Sequence, residues 1–153
     1  MDLKEIIILI CWKIHDTIGI GDFMKLELLT YEKENLPCGW KPYYIYLIMV
    51  DHIEVGRIVL REGSNEERYY DGHIGYTVEP EFRGHYYAYQ GVQLIKPIAL
   101  KLGFKELIIT CSPNNLASKK TILKLQAQYL ETVEIPKNIG KILKPVKQLK
   151  RFI

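Results

Sequence analysis

The stretch HIGYTVEPEFRGHYYAYQG, residues 73–91, joins three different local signals. HIGYTVE (73–79) alternates in the way typical of a strand, and Pro80 ends that pattern. Arg83 and Gly84 then form a basic corner. The residues that follow place apolar side chains at helical spacing, namely Val92, Leu94, Ile95, Ile98, Ala99 and Leu102. We therefore predict a strand, a glycine-containing turn and a helix N-terminus in succession.

This corner has the chemistry of an anion site. The first N–H groups of a helix have no partner within the helix, and the helix dipole adds a partial positive charge there. A glycine turn with an arginine in front of such a terminus can hold a phosphate group. The same residues also fit a capped helix that binds nothing, so the corner alone leaves both readings open.

The rest of the chain alternates between strands and one more helix. Gly103 is expected to cap the first helix at its C-terminus, and Pro97 should kink that helix or be tolerated in it. A second helix is expected to begin at Ser112, Asn114 or Asn115, which are all good N-cap residues. The strand-like segments are MKLELLTYEKE (24–34), YYIYLIMV (43–50), VGRIVLRE (55–62), ELIITC (106–111) and YLETVEI (129–135). Asp51 and His52 are turn residues, and they predict a hairpin between the second and third of these segments. This order predicts an α/β (α+β) fold with a mixed, mostly antiparallel sheet of about six to seven strands and helices packed on it.

Length and composition fit one domain. A chain of 153 residues can bury a substantial core, and we expect a single domain with a variable segment at 1–22, a core at 24–135 and a closing strand at 148–153. The apolar stretch EIIILICW near the N-terminus is too short for a membrane span, which needs about 20 apolar residues. It fits either a buried strand or an amphipathic helix.

The charge and the cysteines exclude several classes. The net charge of +3 is mild, and the lysines of the C-terminal tail are not interleaved with aromatic residues, so nucleic acid is not expected as a partner. The three cysteines are widely spaced, without a CxxC pair, which predicts neither a metal site nor a disulfide framework. A reducing cytoplasm is the simplest location.

With these motifs in view, the sequence resembles the GCN5-related N-acetyltransferases, the GNAT superfamily. GHIGYTVEPEFRGHYYA (72–88) and ITCSPNNLASKKT (109–121) carry the resemblance, and they look like an uncharacterised bacterial branch of it. The resemblance covers about residues 24–135. It implies acetyl-CoA as co-substrate, no metal, and an amine of a small molecule or peptide as acceptor. Dimers that form through strands are common in the superfamily, which favours a homodimer.

The resemblance also assigns site residues. The family loop R/Q-x-x-G-x-G/A corresponds to Arg83 at its first place and Ala88 at its last, and an asparagine that touches the pantetheine arm corresponds to Asn115. The strand before the loop would pair with pantetheine, and the N–H near Val78 would polarise the thioester carbonyl. The implied cofactor-binding residues are Tyr76, Thr77, Val78, Arg83, Gly84, His85, Tyr86, Tyr87, Ala88, Asn115 and Ser118.

Three positions depart from the family pattern. Tyr86 stands where the loop has its middle glycine, so its ring either points away from the cofactor or weakens binding. Many relatives have a tyrosine seven residues after the asparagine, which protonates the leaving thiolate, but Ile122 is there in this chain. Tyr86, Tyr87 and Ser118 are the alternative candidates for the acid. The glycine usual after the second helix is replaced by Gln126-Ala127-Gln128, so that bend is expected to differ.

His73 is the candidate general base. It begins the strand that leads to the loop, near the place where many relatives have a glutamate, and the pKa of a free histidine suits proton transfer near neutral pH. The alternative is a histidine that hydrogen-bonds within the sheet. Glu79 and Glu81 are expected to be solvated acids at the helix entry, and Cys111 a small buried residue rather than a nucleophile.

These residues predict an N-acetyltransferase that moves an acetyl group directly from acetyl-CoA to a primary amine. The alternative is a GNAT-like protein that binds acyl-CoA without catalysis, which Tyr86 and Ile122 would favour. A basic module that binds nucleic acid is a third, weaker reading.

Overall fold

The structure is a computed structural model that describes residues 5–11, 24–136 and 151–152. The first and the last of these ranges are described by their backbone alone. Most of the predicted N-terminal segment 1–22, the basic tail, and most of the predicted closing strand 148–153 therefore lie outside the described residues.

Eight strands and two helices are present in the described part of the chain, with a single 3₁₀ turn at Pro80–Phe82 between β5 and α1. In chain order they are β1 (Glu5–Cys11), β2 (Met24–Glu32), β3 (Tyr43–Val50), β4 (Ile53–Arg61), β5 (Ile74–Val78), α1 (Tyr87–Lys101), β6 (Leu107–Cys111), α2 (Leu116–Lys124), β7 (Gln128–Glu134) and β8 (Arg151–Phe152).

The strands form one mixed sheet in the order β2-β3-β4-β5-β6-β1-β7, and β8 also pairs with β6. Every neighbouring pair is antiparallel except β5 and β6, which are parallel and joined through α1. The predicted mixed, mostly antiparallel sheet is thus confirmed. The N-terminal apolar stretch, which fitted a strand or a helix, is a strand between β6 and β7, in agreement with its β-branched composition.

Both helices pack on one face of the sheet. The core cluster contains Ile58 and Leu60 of β4, Ile95 of α1 and Ile122 of α2, each fully shielded from solvent. Gly91 of α1 explains how closely the first helix approaches the sheet. A Cβ added there would lie 2.7 Å from Cδ1 of Ile58, so a larger residue would push the helix outward. Among the described residues, no helix is both long and apolar enough to cross a membrane.

The chain reverses direction as its turn residues predict. Asp51 and His52 join β3 to β4, and both have positive φ (49° and 66°), as two-residue hairpin turns require. Pro97 is tolerated on the exposed side of α1, which continues to Lys101. α1 then ends at Gly103, whose φ is +92°. The Gly103 N–H donates to Leu100 O and the Phe104 N–H donates to Ala99 O, which is the Schellman arrangement.

α2 ends with the same left-handed bend but without a glycine. Gln126 follows the C-cap Leu125 with a φ of +55°, and its N–H donates to Leu123 O. The expectation of a different bend is therefore wrong: the backbone keeps the geometry, and Gln126 carries the strain. A left-handed conformation costs an L-residue about 1–2 kcal/mol relative to the right-handed one.

This strain predicts that Gln126→Gly stabilises the protein, because glycine has no Cβ to clash in this conformation. We expect a gain of about 1 kcal/mol, offset in part by the flexibility of glycine in the unfolded chain. That corresponds to a rise in melting temperature of about 2–4 °C, measured by calorimetry. Gly103→Ala is the reverse change, because it adds a Cβ at a left-handed position. Its Cβ would meet nothing within 4 Å, so a loss of stability there would report backbone strain alone. A Gln126→Gly variant that melts no higher than the parent would contradict the assignment.

Candidate active site

The site begins where β5 and β6 separate. These two parallel strands share one register pair, Ile74↔Ile109, so the rest of β5 has no β6 partner among the described residues. On its other edge β5 is hydrogen-bonded to β4 at the level of His73 and of Glu79, through Arg61 N–H to His73 O and Glu79 N–H to Val55 O. Because bonding alternates along an antiparallel pair, the N–H and C=O groups of residues 76 and 78 point away from β4. They therefore face the gap beside β6.

A cavity of about 500 Å³ occupies this region and reaches both faces of the sheet. The first face is the one that carries α1 and α2. The second face is defined by Arg57, Val59 and Arg61 of β4 together with Gly75 and Thr77 of β5. Residues that line the cavity include Arg57, Arg61, Asp71, Gly75, Tyr76, Thr77, Glu79, Cys111, Asn115 and Ser118.

The corner after β5 exposes a run of backbone N–H groups. Gly84 has a φ of +89° and Tyr86 is left-handed at φ +60°, ψ +25°, after which the chain enters α1. The first helical bond is donated by Gln90 to Tyr86 O. Within the described residues, the N–H groups of 84–88 have no acceptor. Successive N–H groups in such a conformation form a concave anion-binding nest, here at the positive end of a 15-residue helix.

The ring of Tyr86 does not fill this nest. The residue is 60% exposed, and its ring lies beneath the Lys124 ammonium of α2, which is 4.7 Å from the ring centroid. Lys124 also lies 5.1 Å from the centroid of Tyr89. The backbone of Tyr86 is left-handed although the residue is not a glycine. The side chain is directed toward α2, and it holds a second cation near the helix terminus.

Arg83 and His85 flank the nest and are exposed. Nε of Arg83 donates to Val78 O at 3.1 Å, which ties the corner to the end of β5. The His85 ring stacks on Tyr87, with the ring centroids 5.3 Å apart, and its carbonyl accepts from Gln90 Nε2. The structure thus brings together, at one corner, the loop residues that the sequence singled out.

The N-terminus of α2 lies against the same cavity. Asn115 is the N-cap, and its Oδ1 accepts from the Ser118 N–H at 3.1 Å. This leaves the Nδ2 group of Asn115 as a donor toward a ligand. Ser118 Oγ lies 2.8 Å from the hydroxyl of Tyr76, so a phenol from β5 meets the first turn of α2.

Tyr76 has a side chain at this site that the sequence analysis missed, since the residue was considered only for its backbone. Burial raises the pKa of its hydroxyl, and hydrogen bonds with Ser118 and Thr121 oppose that rise only in part. The hydroxyl therefore stays protonated at neutral and moderately alkaline pH. The sequence signal for this side chain was its place on the same face of β5 as Ile74, which indicated that it points toward the core. What the strand alternation could not show is that α2 would bring a serine to the hydroxyl.

His73 does not have the geometry of a general base. It is 1% exposed, and its Nδ1 accepts from the Ile108 N–H at 2.9 Å. The proton must therefore be on Nε2, which lies 2.9 Å from Gly63 O and donates to it. Both ring nitrogens are thus engaged by backbone, and no lone pair is left for an amine proton. The ring also packs edge-on against Phe104, near the C-terminus of α1 and at the opposite end of β5 from Val78.

Thr77 differs from its neighbours on β5. Its backbone is directed toward Arg57 of β4, so it cannot offer N–H or C=O groups to the gap beside β6. Its exposed side chain lies on the second face and lines the cavity there.

Cys111 is 4% exposed and belongs to the core cluster, where it fills space as a small apolar residue. Within 24–136 and the other described residues, no group of three His, Cys, Asp or Glu could hold a metal ion.

Comparison with known proteins identifies a domain family. The model of a family described as "Acetyltransferase (GNAT) domain" matches residues 22–128, which include β2 to α2 and all of the residues that line the site. No curated protein and no solved structure matches the chain.

A structural role for His73 predicts that His73→Ala destabilises the fold. Removing the ring leaves the Ile108 N–H and the Gly63 carbonyl without partners, and a buried group left unsatisfied costs about 1–3 kcal/mol. We expect a loss of at least about 2 kcal/mol in the free energy of unfolding, measured with urea. His85→Ala is the matched control, because that histidine is exposed. Equal stability of the two variants would contradict the role assigned to His73.

Proposed function

This chain belongs to the GNAT acetyltransferase family, and from that premise we propose that it transfers an acetyl group from acetyl-CoA to a primary amine. The observation that supports the proposal most strongly is the run of acceptor-free N–H groups at 84–88, at the corner that follows β5 and is tied to its end by the bond from Arg83 to Val78 O. This corner and the gap between β5 and β6 together suit a ligand that has a diphosphate at one end and an amide-containing arm at the other.

The described residues fit acetyl-CoA on chemical grounds. N–H groups of the nest would hold the diphosphate, supported by the helix dipole and by Arg83. Lys124, held over the rings of Tyr86 and Tyr89, would add positive charge at the same place. The backbone groups of Tyr76 and Val78 would pair with the pantetheine amides as a neighbouring strand does, and Nδ2 of Asn115 would donate to the same arm.

The chemistry consists of one bond formed and one broken. The amine nitrogen forms a C–N bond with the acetyl carbon as the C–S bond of the thioester breaks. Val78 N–H would donate to the carbonyl oxygen as negative charge develops there. Tyr76 would supply a proton to the departing thiolate, and Ser118 would position its hydroxyl. Holding the two reactants in this geometry supplies much of the rate, because it removes the entropic cost of their encounter.

The amine must also lose a proton, and we assign that step to Glu79. Two acidic side chains line the cavity, Asp71 and Glu79. Asp71 is ion-paired with Arg68 at 2.6 Å. Glu79 has no ion pair within the part of the chain that the structure describes, and it directly follows Val78 at the end of β5, near Arg57 of the second face. Glu79 can accept the proton directly or through a water molecule.

The cofactor assignment predicts that Arg83→Glu weakens CoA binding, because a carboxylate would then repel the diphosphate at the nest. We expect a loss of at least about tenfold in affinity, or 1.4 kcal/mol, by titration calorimetry with CoA. Lys101→Glu is the matched control, since it makes the same charge change at the opposite end of α1. Undiminished affinity in Arg83→Glu would count against the nest as the diphosphate site. Thiol release with acetyl-CoA and a panel of amines then separates an enzyme from a protein that only binds the cofactor.

The proton-transfer assignments predict that Tyr76→Phe and Glu79→Gln lower turnover but leave CoA affinity close to the parent value. General acid or base catalysis contributes roughly 10²–10⁴-fold to the rate. Because a thiolate is a good leaving group, we expect the loss of turnover in Tyr76→Phe to be at or below the lower end of that range. Turnover is measured by thiol release at saturating acetyl-CoA. Tyr46→Phe removes another buried phenol, on β3, and serves as the control. Parent-like turnover in Tyr76→Phe would exclude its hydroxyl as the acid.

A further inference from the structure

The second face of the sheet carries a guanidinium inside the cavity that the proposed chemistry does not use. Arg61 is the last residue of β4, where Ile58 and Leu60 point to the core and Arg57, Val59 and Arg61 point to the second face. It lines the cavity together with Gly75 and Thr77 of β5.

Gly75 creates the space in which this guanidinium lies. A Cβ added at Gly75 would be 3.0 Å from Nη2 of Arg61 and 3.2 Å from Nη1. A side chain at position 75 would therefore press on the guanidinium and force it to shift. The guanidinium thus lies beside the backbone of β5 at Gly75, close to the residues that border the gap.

The anion that acts on Arg61 is engaged by another cation. Asp71 lies near Arg61 but is held by Arg68 Nη1 at 2.6 Å, and Arg68 also interacts with Glu67. Desolvation lowers the pKa of Arg61, and the nearby Asp71 opposes that effect.

Arg61 also has unused donors. Of its five N–H groups, the hydrogen bonds within the described residues account for one, from Nη1 to Gly72 O at the long distance of 3.5 Å. No carboxylate lies within 4 Å of its guanidinium in the part of the chain that the structure describes. A desolvated cation without its own anion is unfavourable, so this position suits a negative group that enters the cavity.

We infer that Arg61 forms a carboxylate-binding subsite for the acceptor, so that the preferred acceptors are amines that also carry a free carboxylate, such as amino acids or short peptides. The planar fork of arginine binds a carboxylate with two parallel hydrogen bonds. From Gly75 to Val78 the strand rises about 10 Å, which limits the distance between the carboxylate and the acetylated nitrogen. The inference rests on the proposed transfer reaction for the placement of the acceptor amine near Val78. The anion site at Arg61 itself does not depend on catalysis.

The test uses matched pairs of small molecules that differ only in the carboxylate. Binding is measured by calorimetry with 6-acetamidohexanoate, which resembles a product, and with its primary amide. Turnover is measured by thiol release with 6-aminohexanoate and 6-aminohexanamide. We expect the parent protein to prefer each acid over its amide by at least about tenfold, as one good charge-assisted bidentate contact allows.

Two variants assign the preference to Arg61. Arg61→Gln should remove the preference for the acid, mainly by raising KM, and should leave CoA affinity and the reaction of the amide unchanged. Gly75→Ala keeps the charge but displaces the guanidinium, and should also reduce the preference. Arg57→Gln is the control on the same face, because Arg57 is exposed and already paired with Glu54 at 2.7 Å.

The outcomes separate this inference from the proposed function. Binding of the acid that Arg61→Gln abolishes, in a protein that shows no acetyl transfer, would uphold the subsite and overturn the transferase. Acetyl transfer with equal preference for acid and amide would overturn the subsite and uphold the transferase. A preference for the acid that survives in Arg61→Gln would also overturn the subsite.

Discussion

The geometry of the site depends on the separation of β5 from β6. Two parallel strands that kept their register would satisfy each other's backbone along their whole length and would leave no cavity. Here they share one pair at Ile74, and the N–H and C=O groups of Tyr76 and Val78 then face a gap. Polar backbone inside a fold is expensive when it has no partner, so such a gap is stable only where solvent or a ligand completes the bonding.

The corner that follows β5 also has backbone N–H groups without a partner in the described part of the chain, here at the start of a helix instead of along a strand. Gly84 and Tyr86 are left-handed, and the N–H groups of 84–88 have no acceptor within the described residues. Tyr86 accepts a strained conformation there, which contributes about 1–2 kcal/mol against folding. This conformational cost is partly offset by the Lys124 ammonium over the ring of Tyr86, since a cation over a tyrosine ring contributes about 0.5–1 kcal/mol at an exposed position. A bulky residue in the loop is thus compatible with an open nest.

The alternation of side chains along β5 distributes its roles between two faces. Tyr76 points to the helices, where burial keeps its hydroxyl protonated and Ser118 meets it. Gly75 and Thr77 belong to the other face, with Arg61 and Arg57 of β4 beside them, and Glu79 follows at the end of β5. In the proposed reaction, the acceptor would approach from this second face while the pantetheine arm pairs with the edge of β5 in the gap. One short strand could then serve both reactants.

By itself the sequence determined the order of strands and helices, the hairpin at Asp51 and His52, the cap at Gly103 and the position of the basic loop, because each of these follows from local periodicity or from the backbone preferences of a few adjacent residues. It also identified the family, since loop and helix-start motifs are contiguous. The tertiary structure decided what depends on residues distant in the chain. It engaged both nitrogens of His73 with the backbone of Ile108 and Gly63, brought Ser118 to Tyr76, and set Arg61 against Gly75. Those contacts arise from how the strands register and how α2 packs, and no local pattern encodes the distance between two such atoms.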